Sequence, residues 1–306
     1  MHFGVHAGLQ NTTTAELQSL WRRIEDHGFE WISVWDHFYA ADASFASDGS
    51  VTSGYHCLEA LTTHTALALA TSRVRCGSLV YCAGYRHPAV LANAMATLDQ
   101  LSGGRVVLGL GAGWHQGEYA AYGIPFPPAA ERLRMLDEAV QCVRLLLTED
   151  IANFDGAHFQ LRDARCEPKP VQARLPIWVG GGGEQLTLRI TARHADGWNL
   201  AFVSPETFRH KREVLDRHCD AVGRDGSEIA RSVNLALAWR EEDLVRQFGG
   251  AAEYIGANAL KGTTQQVIDR VGEYRDAGAD WVIVALRAPF DLEGLERFAT
   301  EVLPAF

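Results

Sequence analysis

Asp36 and His37, in SVWDHF, put a carboxylate and an imidazole side by side at the end of an apolar run. An imidazole titrates near neutrality and can hold or release a proton, and a neighbouring carboxylate can orient it. The same dipeptide also suits a helix cap followed by a surface histidine. A second candidate is PIWVGGGGEQLTLRI, where Gly180, Gly181, Gly182 and Gly183 separate an apolar run from a helical pattern opening at Glu184. Ordering four glycines costs conformational entropy. Either they make a tight turn, or they let an anion approach several backbone N–H groups at a helix start, where the helix dipole adds to the attraction. Phosphate is the natural guest of such a loop.

Two further stretches could serve a ligand. GLGAGWHQGEY, from 109 to 119, sets Gly111 and Gly113 where a flat ring could lie on bare backbone, or where a simple turn would do. LVYCAGYRHP, from 79 to 88, brings Arg86 and His87 to a helix start, as an anion site or as an exposed loop. Glu59 reads as a structural residue or a cap. The chain has no HExxH, GxSxG or P-loop motif, and its 12 histidines do not cluster at ligand spacing, so a metal site is not expected.

These residues need elements to hold them. Short apolar runs at 2–6, 31–35, 73–80, 105–111, 176–180, 197–201, 232–239 and 281–286 read as strands. Amphipathic segments at 14–28, 57–70, 88–104, 131–149, 184–195, 205–223, 263–278 and 291–306 read as helices. FDGAHFQL, within the irregular stretch 150–175, suits a small hairpin through Asp155-Gly156. Continuous apolar strands alternating with helices predict a (β/α)8 TIM barrel with small insertions. A doubly wound open sheet is the structural alternative, but GLGAGW lacks the third glycine of a dinucleotide fingerprint and follows the fourth strand. In a barrel, chemistry collects at strand ends. Asp36, His37 and Phe38 fall after the second strand, and Tyr81 and Arg86 after the third. Gly111, Gly113, Trp114, His115 and Glu118 follow the fourth, the glycine run and Glu184 the fifth, Trp198 and Asn199 the sixth, and Arg287 the eighth.

The 306 residues are 47% hydrophobic and 22% charged, with a net charge of -10. The chain reads as one domain over 1–306, with no basic run to suit nucleic acid. No apolar stretch reaches the ~18 residues of a membrane span, and no signal-peptide pattern is visible. The 6 cysteines form no CxxC pair, which fits reduced thiols in a cytoplasmic protein.

Taken in order, VWDHF (34–38), YRHPAVLANAMATLDQLSGGR (85–105), LGLGAGWHQGEYAAYGIPFPP (108–128), EPKPVQ (167–172), VGGGGEQLTLRITARHADGWN (179–199) and HCDAVGRD (218–225) resemble the bacterial luciferase-like monooxygenase superfamily. Within it the chain is similar to the oxidoreductases dependent on the deazaflavin coenzyme F420, with FMN-dependent monooxygenases as the alternative. The resemblance covers the chain from HFGVHA to the last helix. It implies a barrel, often a homodimer, with the cofactor in the mouth and its phosphate on Gly180 to Gly183 beside Glu184. It also implies a non-prolyl cis peptide at or next to Ser78-Leu79, behind the ring, with Tyr81, Gly111 and Gly113 around the cofactor. By the same resemblance Asp36 contacts the polar edge of the ring, and His37 is the candidate proton donor or acceptor. Arg86, His87 and Lys261 are candidates for the acidic tail of the deazaflavin. The sugar-phosphate dehydrogenases of this branch carry a Trp just past the His and a Glu after the strand-four glycines. Here Ala41 and Trp114 stand nearest those positions. A small apolar or aromatic substrate is therefore expected, walled by Trp114, Tyr81, Phe38 and Trp198. A cofactor-binding or sensing protein without turnover is the reading from another class.

Overall fold

Eight of the apolar runs become strands because nearly every residue in them is buried on both faces. A computed structural model describes residues 1–46 and 50–306. The strands are β1 (His2–Ala7), β2 (Trp31–Val34), β3 (Arg75–Ser78), β4 (Val106–Gly111), β5 (Ile177–Gly180), β6 (Gly197–Ala201), β7 (Ala230–Ala236) and β8 (Trp281–Leu286). Each pairs in parallel with the next. The ring closes where Val5 of β1 faces Val284 of β8. The result is a closed (β/α)8 barrel, as the sequence predicts.

Around it lie α1 (Thr14–Asp26), α2 (Ala60–Ala70), α3 (Pro88–Ser102), α4 (Ala129–Thr148), α5 (Thr187–His194), α6 (Pro205–Ala221), α7 (Thr264–Asp276) and α8 (Leu292–Arg297). α1 buries Leu17, Leu20, Trp21 and Ile24 on one stripe, and Thr13 and Glu16 close a capping box at its start. Glu59 caps α2 by accepting from the Thr62 N–H at 2.8 Å. The hairpin at Asp155-Gly156 forms, with Ala152–Asp155 antiparallel to Gln160–Ala164.

Some boundaries differ from the sequence pattern. The third strand stops at Ser78. A cis peptide then joins Leu79 to Val80, and Tyr81–Cys82 forms a two-residue strand on β4. α5 starts three residues later than expected, because Glu184 to Leu186 make a turn. Two short helices, Glu241–Phe248 and Ala252–Gly256, fill the connection after β7. Each spans too few turns to give a clear period. A ribbon of Ser44–Phe45 and Val51–Ser53 lies beyond β2. Among the described residues no helix is long and apolar enough to cross a membrane.

The barrel interior is filled unevenly. Trp31, Trp178 and Trp281 meet near the N-terminal ends of β2, β5 and β8. The first two stack with centroids 4.6 Å apart, and Trp281 lies edge-on to Trp31 at 5.9 Å. Glycines on adjacent strands make room for them. A Cβ on Gly77 would fall inside the Trp31 indole, and one on Gly197 inside that of Trp178. The indoles plug one end of the barrel and leave the other open.

Two predictions follow from this packing. Gly77→Ala overpacks the plug and lowers stability by about 1–3 kcal/mol in urea titrations. The second concerns His64, which is fully buried with its Nδ1 3.0 Å from the Tyr81 hydroxyl, and whose pKa burial pushes down to about 4. The unfolded chain takes up this proton first, near its ordinary value of about 6.5. The stabilising effect is therefore complete above that pH and declines as pH falls toward 4, by about 1.4 kcal/mol per unit. His64→Gln removes that part of the acid slope, which denaturant titrations between pH 7.5 and 4.5 read directly.

Candidate functional site

A cavity of about 530 Å³ opens at the C-terminal mouth of the barrel. Leu79 and Val80, the two residues of the cis peptide, form part of its wall. Val80 occupies space that glycines leave. A Cβ on Gly111 would come within 2.6 Å of Val80 Cγ2, and one on Gly180 within 2.8 Å of Val80 Cγ1. Gly111, Gly113 and Gly180 thus sit in the wall as bare backbone around a raised apolar platform. Gly113 is obligatory twice over, with φ of 76° and the Tyr119 hydroxyl and Cys82 Sγ pressed against the position of a Cβ. Ser78 and Tyr81, expected beside a cofactor, lie behind this wall. The Ser78 hydroxyl donates to the Gly109 carbonyl at 3.1 Å and accepts from its N–H at 2.9 Å. Side chains alternate along an extended segment, so with Val80 and Cys82 inward, Tyr81 points away toward His64.

Asp36 and His37 both line the cavity. Asp36 is buried and its Oδ2 accepts from the Cys82 N–H at 2.9 Å and from Arg86 at 2.7 Å. Burial pushes its carboxyl pKa up, against the pull of Arg86. His37 places Nδ1 2.9 Å from Oε2 of Glu118, a carboxylate with no exposed surface. Glu118 also accepts from the Tyr85 hydroxyl at 2.8 Å and from the Phe38 and Tyr39 N–H groups at 3.0 and 3.1 Å. Burial opposes its ionisation, but His37, Tyr85 and the Tyr39 N–H outweigh it and hold the carboxyl below its usual range. An ionised Glu118 takes Nδ1–H of the ring, which leaves Nε2 as the atom for chemistry.

The glycine run leaves β5 with Gly180 and Gly181 in the cavity wall. Gly181 has φ of 125°, and the Trp198 indole N–H donates to its carbonyl at 2.8 Å. Gly182 packs on Leu200 and Gly183 beside the Thr187 hydroxyl, where a Cβ would come within 2.9 and 2.8 Å. Leu186 at the head of α5 offers no capping side chain, so the first N–H groups of that helix have no side-chain acceptor. The Gly181 N–H donates to the Asn199 carbonyl and the Leu188 N–H to that of Gly183, each at 3.0 Å, so the donors that suit an anion are the remaining N–H groups of the loop and helix start, with the Thr187 hydroxyl at the cavity edge. Glu184 faces outward instead, accepting from Lys211 at 2.7 Å and lying 2.9 Å from His210 Nε2.

Other expected residues move out of the site. Trp198 is fully buried and stacks on Phe208 of α6, with centroids 5.1 Å apart, so it holds the glycine loop and is no substrate wall. Phe38 stacks on Tyr122 at 4.2 Å and does not line the cavity. Trp114 does line it, with its ring 5.6 Å from that of His37. Arg86 is taken by Asp36 and Glu59, His87 caps α3 through Nδ1, and Lys261 pairs with Glu241 at 2.8 Å. Those three side chains are thus engaged within the chain. The residues that sequence reading left without a role are Glu118, Thr187, Phe248 and the buried pair Asn199 and Asn234, joined at 2.9 Å. GWHQGEY pointed to a loop that lines the cavity, but a partner 81 residues from His37 has no local signature.

A family model described as luciferase-like monooxygenase matches residues 1–256. An uncharacterized protein of Mycobacterium tuberculosis is 33% identical over 216 residues, covering 67% of this chain and 74% of that one. An F420-dependent glucose-6-phosphate dehydrogenase of Kineococcus radiotolerans is 30% identical over 249 residues, covering 79% and 69%. Among solved structures, an F420-dependent secondary alcohol dehydrogenase holding an F420–acetone adduct superposes with a TM-score of 0.86 at 21% identity, over 99% of this chain and 98% of that one. The F420-dependent tetrahydromethanopterin reductase of Methanopyrus kandleri gives 0.81 at 20%, over 100% and 99%. At those identities the superpositions establish the barrel fold. The match over residues 1–256, on a barrel with this mouth, makes the chain a member of the luciferase-like monooxygenase family.

Proposed function

We propose that this protein is an oxidoreductase that uses coenzyme F420 to exchange a hydride with a small organic substrate of apolar or aromatic body. The observation that carries the reading is one cavity holding three features together: the Leu79-Val80 platform between glycines, the uncapped helix start at the glycine loop, and the buried Glu118–His37 pair. The platform suits one face of a flat ring, and the loop suits a phosphate. The F420-dependent dehydrogenases among its relatives support the same cofactor.

When bound, the deazaflavin supplies or accepts a hydride at its ring and restricts the chemistry to electron pairs. Gly182, Gly183, the Thr187 hydroxyl and the start of α5 would hold its phosphate, with Gly180 and Gly181 giving it close approach to the backbone. Reduction of a carbonyl, imine or enone takes one proton besides the hydride, and oxidation of an alcohol releases one. His37 holds that proton at Nε2, and Glu118, accepting from Nδ1–H, keeps the ring in one orientation. Asp36 keeps Arg86 and the Cys82 backbone in place at the cavity wall. Ala41 and Trp114, in the positions where the sugar-phosphate dehydrogenases carry Trp and Glu, favour a substrate other than a sugar phosphate.

Fluorescence titration of the purified protein with F420 and with FMN tests the cofactor. F420 binds at least ~10-fold more tightly on this reading. Tighter FMN binding transfers the protein to flavin monooxygenase chemistry. For the proton, His37→Asn lowers kcat by ~100-fold and Glu118→Gln by ~10-fold, with F420 affinity changed little. The double variant is no worse than His37→Asn, because the pair acts as a unit. Fully multiplicative losses would separate Glu118 from the function of His37.

A further inference from the structure

Arg287 directly follows β8 and lines the same cavity. In the closed ring β8 and β1 lie across the mouth from β4 and β5, so Arg287 faces the glycine loop from the far wall. It is 8% exposed. Among the described residues its guanidinium makes no ion pair and no side-chain hydrogen bond. It lies between two aromatic rings, 5.0 Å from the Trp35 centroid and 5.1 Å from that of Phe248. Gly8 leaves room for its stem, since a Cβ there would come within 3.3 Å of Arg287 Cγ. The field of Asp42 reaches the guanidinium, but that carboxylate accepts from Gln10 at 3.2 Å.

A buried arginine is ordinarily paired, because five N–H donors and a charge away from water cost several kcal/mol if left alone. Ring faces attract the charge but take up none of the N–H donors in their plane. The neighbouring cavity residue His6 offers no negative charge. Burial, aided by Arg287 and His37, pushes its pKa down to about 3, so it is neutral at working pH. Trp35 lies between the two side chains, its ring 5.1 Å from that of His37 and 5.0 Å from the Arg287 guanidinium, which puts Arg287 and His37 on one side of the cavity.

We propose that Arg287 recognises a carboxylate on the substrate, so the substrate class is an apolar or aromatic organic acid. The carboxylate takes two parallel N–H bonds from the guanidinium fork. The apolar body then extends across the cavity toward His37. The proposal rests on the reading of this cavity as a substrate site, and it adds the charge that the substrate must carry.

The test titrates crotonate, benzoate and cinnamate, each against its own amide, into the full-length protein with and without F420. Binding is followed by tryptophan fluorescence and calorimetry. The wild-type protein is expected to bind at least one acid ~10-fold or more tightly than its amide, a preference that weakens with salt. Arg287→Met abolishes the preference, and Arg287→Lys keeps part of it by retaining charge without the fork. Equal binding of acids and amides by the wild-type protein overturns the proposal, whether or not the Met variant folds. So does a preference that survives in Arg287→Met. Loss of F420 affinity in Arg287→Met with unchanged probe binding assigns the guanidinium to the cofactor and overturns it too. A wild-type protein that binds F420 but shows no acid preference sinks this inference alone. One that prefers acids but ignores F420 sinks the cofactor reading alone.

Discussion

A closed ring of eight parallel strands encloses a space that side chains must fill, and most of this molecule follows from filling it at one end only. Three indoles occupy the N-terminal half, admitted by glycines that yield their own side-chain volume. Above the plug, Val80 rises between Gly111 and Gly180, and the remaining volume stays open as a cavity. Protein interiors are otherwise packed like crystals. An open end therefore marks the place with room for a ligand. The glycines on these strands act as the negative of two specific shapes, the indole plug below and the platform above.

Around that cavity, buried charge does the work of positioning. Asp36 joins β2 to the segment after β3 through Arg86 and the Cys82 N–H. Glu118, in the short helix Gln116–Ala121 after β4, is tied to the loop after β2 through His37, Phe38 and Tyr39 and to the segment after β3 through Tyr85. Each carboxylate is out of water, and each is stable there because its oxygens accept charged or backbone donors. The loops that would otherwise be mobile at the barrel mouth are therefore tied together by the same groups that set the orientation of His37. Arg287 stands apart from this pattern. It shares the burial of the other charges and, among the described residues, lacks their partners.

The residues differ in how far the sequence alone could place them. The eight strands and eight helices were legible because burial on both strand faces gives continuous apolar runs, and helices show a 3.6-residue period. The glycine loop and Asp36-His37 were legible because their residue types are unusual at strand ends. Phe38 and Trp198 were not, since a large aromatic at a strand end packs against the cavity or the outer helices with equal chemical sense. Trp198 went to Phe208, and Phe38 to Tyr122. Arg86, a plausible anion site by type, was claimed by Asp36, 50 residues away.

The sequence by itself determined the barrel, the order of its units and several of the loops that line the cavity, because periodicity and glycine placement are local properties of the chain. Pairings across the mouth were decided only by the tertiary structure. Glu118 meets His37 from 81 residues away, and Arg287 closes on Trp35 and Phe248 from other elements. Such contacts depend on how the ring closes and which side of each strand end turns inward. A single chain read in one dimension holds no record of either until the barrel forms.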